Sequence, residues 1–127
     1  MRLCLFILLA LSLLIEVVLT FLCFFMPAKA LELFGMAYRV EYAFLGYIIA
    51  WFCLLVSVLV GYIIYLFWQN NSNYAPLTYL LASWWVGLGI GIFVMYGKVD
   101  NLVLDTMKGA VIIMFTYINQ TKHDDGK

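Results

Sequence analysis

Charge is what this sequence has least of. Only 11% of its 127 residues are charged, seven basic and seven acidic, for a net charge of zero. A soluble domain carries roughly 25% charged residues. The few cations form no basic stripe, which argues against nucleic-acid binding. Histidine is nearly absent: His123, in the polar tail, is the sole one. A bis-histidine haem site and a multi-histidine zinc site are therefore excluded. The three cysteines, Cys4, Cys23 and Cys53, make no CxxC pair and no metal-ligand spacing. Cys4 and Cys23 lie 19 residues apart on one apolar run, or about 28 Å along a helix, too far to bridge. Each cysteine reads as a small apolar residue, and no metal or cofactor is expected. No nucleophile–base pair is visible either, so a membrane enzyme is the least favoured class.

What is there is apolar: 67% of the residues are hydrophobic. So small a body cannot hide that much apolar surface from solvent, so much of it must face lipid. The spans read as 3–26, 42–68, 77–97 and 102–118. The first apolar run, Leu3 to Met26, is 24 residues or about 36 Å as a helix, enough to cross a core of about 30 Å. The second, Tyr42 to Trp68, has 27 residues and no charge. The third follows Pro76, which suits a helix start, and closes at Lys98 and Asp100. The fourth, Leu102 to Ile118, is only 17 residues and includes Asp105 and Lys108, three apart and able to pair. A re-entrant segment is its alternative. The fold class is all-α: a polytopic transmembrane helix bundle of about four spans, a single domain over 1–127.

Pro27 is expected to end the first helix. Ala28-Lys29-Ala30 resembles a signal-peptidase site, but the preceding run exceeds a leader's usual apolar length of about 7–15 residues. Ala28 to Glu41 reads as an interfacial helix or tight connection around Leu31-Glu32-Leu33-Phe34, with Tyr38 and Tyr42 in the aromatic belt. The tail from Asn119 to Lys127 is polar and expected to fray. Basic residues divide evenly between the two sides, so they do not orient the chain. Asn70-Asn71-Ser72 and Asn119-Gln120-Thr121 match the glycosylation pattern and fall on one side.

Helices in lipid associate by close approach at small residues. Gly46, Ala50, Cys53, Ser57 and Gly61 line one face of the second span; Ser83, Gly87 and Gly91 line one face of the third. These two faces are expected to meet, so that bulk at Gly87 loosens the bundle. Trp68 fits the aromatic belt. Trp51, Trp84 and Trp85 lie deeper and are expected to fill packing space.

Glu16 stands about midway along the first span, where an acidic group costs a few kcal/mol. Protonation, a cation from Lys108 or Arg39, or a wet cavity would each lower that cost. Ser12, Glu16 and Thr20 follow at steps of four, with Cys23 next, so a polar stripe should point into the bundle. An ionisable group in this position is either a working proton or cation site or a protonated carboxyl that joins helices.

Ile15-Glu16-Val17-Val18-Leu19-Thr20 resembles the first-helix motif of the small multidrug resistance transporters, and Trp85-Val86-Gly87-Leu88-Gly89-Ile90 is similar to the tryptophan–glycine segment of their third helix. That resemblance implies Glu16 as the proton and substrate site and Trp85 as a substrate-stacking residue. A longer stretch, about residues 3 to 118, looks like the small four-helix membrane proteins of DoxX-like or unknown-function type. It rests on the hydrophobic first helix, Leu31-Glu32-Leu33-Phe34-Gly35, the run from Tyr38 to Gly46, and Val86-Gly87-Leu88-Gly89. It implies a four-helix bundle in a bacterial inner membrane and assigns no reaction. The leading expectation is an accessory, immunity-type or interaction protein within the bilayer. Its partners would be lipids and either a second copy or a larger membrane protein. A proton-coupled cation transporter using Glu16 is the alternative. A lipid-binding protein or membrane enzyme with Glu16, Glu41 or Arg39 in its pocket comes third.

Overall fold

In the computed structural model, residues 2–33, 35 and 37–124 are described. The helices are α1 (Arg2–Phe25), α2 (Pro27–Leu33), α3 (Ala43–Trp68), α4 (Tyr74–Tyr96), α5 (Val99–Asn101) and α6 (Met107–Asp124). A 3₁₀ turn, Val40–Tyr42, precedes α3, and a π-helical turn, Leu102–Thr106, joins α5 to α6. Among the described residues, four segments are long and apolar enough to cross a membrane: Arg2–Phe25, Ala43–Trp68, Tyr74–Tyr96 and Leu102–Thr121. The protein is an all-α, four-span membrane bundle.

Local chemistry sets the helix ends. After Met26 breaks α1, Pro27 takes the first position of α2, where its missing N–H costs no bond. Asn70 adopts a left-handed conformation (φ 57°). Its N–H reaches the Phe67 carbonyl (3.2 Å) and that of Asn71 reaches Leu66 (3.0 Å). Together these bonds close α3 in a Schellman motif. Gly97 (φ 67°) ends α4 with one bond to the Phe93 carbonyl (2.8 Å). Pro76 is not the first residue of α4. The helix starts at Tyr74, and Pro76 falls in the first turn, whose N–H groups have no helical partner anyway.

The chain forms two compact units, Met1–Leu9 with Ile63–Lys127, and Ala10–Tyr62. In the first, the Arg2 guanidinium donates to the Phe67 carbonyl (2.9 Å) and lies over the Phe67 ring (4.9 Å to its centre). Phe6 meets Trp68 edge-on at 6.1 Å, and Phe67 meets Tyr74 at 5.0 Å. These contacts gather the start of α1, the end of α3 and the start of α4. The Tyr79 hydroxyl donates to Gln120 Oε1 (2.8 Å), tying the last turns of α6 to the first turns of α4. The polar tail is therefore not frayed as expected: Asn119 to Asp124 continue α6. The remaining tail, 125–127, and Phe34 of the connection lie outside the described residues.

Inside this unit the close seam runs along a different line of α4 from Ser83 and Gly87. Ser83 and Gly87 are exposed, and inside the unit no heavy atom lies within 4 Å of a Cβ placed at Gly87 or Gly91. The buried line of α4 is Ala75, Thr78, Leu81, Ala82, Trp85 and Gly89. Trp85, the largest of these, decides which face turns inward. Positions two residues from it point about 160° away on a helix of 3.6 residues per turn. The close approach occurs at Gly109 of α6, where a Cβ would stand 2.6 Å from the Ala82 carbonyl oxygen and 2.8 Å from Val86 Cγ2. In the second unit, Cys23, Ala30 and Ala50 form a buried cluster with Leu22, Phe24 and Ile49 packed on it. Gly46 is buried, and its Cβ position is 3.4 Å from Pro27 Cβ.

Gly109→Ala is therefore expected to destabilise the protein by about 1–3 kcal/mol, the usual cost of overpacking. Gly87→Ala should leave the thermal midpoint in mild detergent unchanged or raised. Equal losses in the two variants would contradict this assignment of the seam.

Candidate functional site

The unit Ala10–Tyr62 carries the polar line of α1. Its period sets it inward: Ser12, Glu16, Thr20 and Cys23 are all buried, in steps of three and four, while Leu11, Leu14, Ile15, Val18 and Phe21 are exposed. Glu16 is 8% exposed. It lies about 21 Å from one end of α1 and about 14 Å from the other.

The hydroxyls nearby are used locally. Thr20 Oγ1 donates to the Glu16 carbonyl (2.7 Å) and Ser57 Oγ to the Cys53 carbonyl (2.8 Å). In the other unit, Thr78 and Thr116 do the same to Tyr74 and Ile112, each at 2.7 Å. Such bonds satisfy a hydroxyl inside its own helix and leave it no proton for a ligand. Thr106 departs from this pattern. Its Oγ1 is buried without a hydrogen-bond partner among the described residues, as is Asn119 Nδ2. Thr106 closes the π turn, whose wider winding shifts the i−4 carbonyl that the other hydroxyls reach.

Sequence reasoning missed a contact across helices. The thiols of Cys23 on α1 and Cys53 on α3 hydrogen-bond to each other, and Glu16 acts electrostatically on Cys53. A signal was present: Cys23 continues the α1 line after Thr20, and Cys53 sits in the small-residue line of α3 between Ala50 and Ser57. Facing antiparallel lines bring such residues together. Within the spans of this unit stand one carboxyl, Glu16, two thiols and the self-bonded hydroxyls of Thr20 and Ser57.

Trp85, which the resemblance implies as a substrate-stacking residue, belongs to the other unit. It is 1% exposed, and Lys108 Nζ stands over its ring at 4.1 Å from the centre. Lys108 also pairs with Asp105 Oδ1 at 3.4 Å. A substrate cation approaching that ring face would have to displace Lys108. Of the other deep tryptophans, Trp84 and Trp51 are exposed rather than packed inside, Trp51 meeting Phe24 edge-on at 5.9 Å. Arg39 and Glu41 are exposed around the 3₁₀ turn.

A double-mutant cycle on Lys108→Met and Trp85→Phe should give a coupling of about 1–2 kcal/mol, the range for a desolvated cation–π pair. Additive losses in detergent unfolding would show that the ammonium gains nothing from the ring. No protein-family model, curated protein or solved structure matches this chain.

Proposed function

We propose that this protein is an accessory or immunity-type component of a membrane assembly, acting through the lipid-facing sides of its helices. One observation carries the reading. The outward face of α4 bears Ser83 and Gly87, exposed and one turn apart, amid exposed Leu80, Trp84, Ile90 and Val94. A small-residue step facing lipid is where a second transmembrane helix can approach closely. The partner is a larger membrane protein or a second copy of this chain. The DoxX-like resemblance supports a bacterial inner membrane as the location.

A second reading rests on Glu16, buried near the middle of α1 with Ser12 and Thr20 on its face. In it, Glu16 exchanges a proton for a small cation.

Two variants separate these readings. Gly87→Leu should abolish co-purification of a stoichiometric partner in mild detergent while leaving the thermal midpoint of the chain unchanged. Glu16→Gln should leave co-purification intact. Loss of resistance to cationic compounds in Glu16→Gln, with normal expression and an unaffected partner, would favour the transporter. Failure of wild-type protein to retain any stoichiometric partner or second copy would overturn the first reading.

A further inference from the structure

We propose that Arg2 holds the phosphate of a lipid headgroup, with an anionic phospholipid as the fitting ligand. The placement of its guanidinium carries this. Arg2 is exposed at the start of α1, against the end of α3 and beside the start of α4. These are the ends of three spans, so the group stands at headgroup level and a ligand reaches it from the bilayer surface. Trp68 marks the same level. It is 74% exposed at the end of α3, with Phe6 edge-on against it at 6.1 Å, and tryptophan settles at membrane–water boundaries.

The guanidinium is fixed before any ligand arrives. Nη2 donates to the Phe67 carbonyl at 2.9 Å, and the guanidinium carbon lies 4.9 Å from the centre of the Phe67 ring. Phe67 is itself only 5% exposed and meets Tyr74 edge-on at 5.0 Å, so the platform is held in turn. A cation already held in place loses little freedom on binding. A guanidinium carries five N–H donors in a planar fork. One bond from Nη2 uses one edge of that fork and leaves the other intact. That edge matches two phosphate oxygens with two parallel bonds.

The chain does not supply the counter-charge. Among the described residues, no carboxylate pairs with Arg2. Of the seven acidic residues, only Asp124 and Asp125, beyond the last apolar segment, belong to the side of the membrane on which α1 begins. A lipid phosphate fills this place. In phosphatidylcholine the choline already balances the phosphate; in phosphatidylglycerol nothing does, so the anionic lipid is preferred.

The test titrates the full chain in mild detergent with phosphatidylglycerol and with phosphatidylcholine of the same acyl chains, and reads one-to-one adducts by native mass spectrometry. The wild type should bind phosphatidylglycerol about fivefold more tightly, the usual worth of one basic residue at an anionic surface. Arg2→Gln should abolish that preference, and Lys29→Gln should leave it unchanged. Inorganic phosphate at millimolar concentration should not displace the lipid. Because Arg2→Gln also loses the bond to α3 and could fold poorly, a second measurement leaves Arg2 in place. Arg39→Lys removes the other arginine of the chain. With ¹⁵N-labelled arginine in phosphatidylglycerol bilayers, this variant should show solid-state NMR dephasing of the guanidinium nitrogens by lipid phosphorus. Equal affinity of the wild type for the two lipids, a preference that survives in Arg2→Gln, displacement by inorganic phosphate, or absence of dephasing would overturn the proposal.

Discussion

A polar group in hydrocarbon has no water to bond to, so each one must find a partner inside the protein. That constraint organises this chain at every level. It makes the long apolar runs helical, because a helix satisfies the backbone within itself. It turns Thr20, Ser57, Thr78 and Thr116 back onto carbonyls four residues earlier. It also governs the helix ends. The terminal carbonyls of α3 are taken up by the Asn70 and Asn71 amides and by Arg2, and that of Phe93 in α4 by Gly97. Where the winding loosens, at the π turn before α6, a buried hydroxyl is left without a partner.

Charges follow the same logic more expensively. Lys108 lies early in the fourth apolar segment and is held from two sides, by the Asp105 carboxylate and the Trp85 ring. That arrangement shows how the fourth segment tolerates its charges: the ammonium is neutralised by a residue three positions earlier and covered by an aromatic from α4. Glu16 is buried further from any helix end, in the unit where Cys23 of α1 and Cys53 of α3 hydrogen-bond to each other. The two sites are chemically distinct. One is a cation already covered by the protein's own groups. The other is a buried carboxyl that acts electrostatically on a thiol of α3.

Much of the fold was legible because hydropathy over some twenty residues is a strong signal. The apolar runs 3–26 and 42–68 lie within a residue of α1 and α3. The inward orientation of Ser12, Glu16 and Thr20 also followed from helical period alone. Three features were not legible, for physical reasons. The seam of α4 with α6 had no signal in the small-residue line, because the large ring of Trp85 turns the face opposite Ser83 and Gly87 inward within its unit. The tail looked too polar for a helix, but Tyr79 holds Gln120 across 41 residues and α6 continues past it. The Cys23–Cys53 contact depends on the pairing of two helices, which spacing within either helix does not contain.

The account stands on four crossings, with α6 antiparallel to α4. Reporter fusions that report sidedness, placed before Arg2, within the 69–73 loop, at Lys98 and after the last residue, test that most directly. The account predicts that both termini and the 69–73 loop share one side of the membrane and that Lys98 lies on the other. A C-terminal reporter on the same side as Lys98 would show that the fourth segment enters the bilayer without crossing it, and would contradict the four-span bundle.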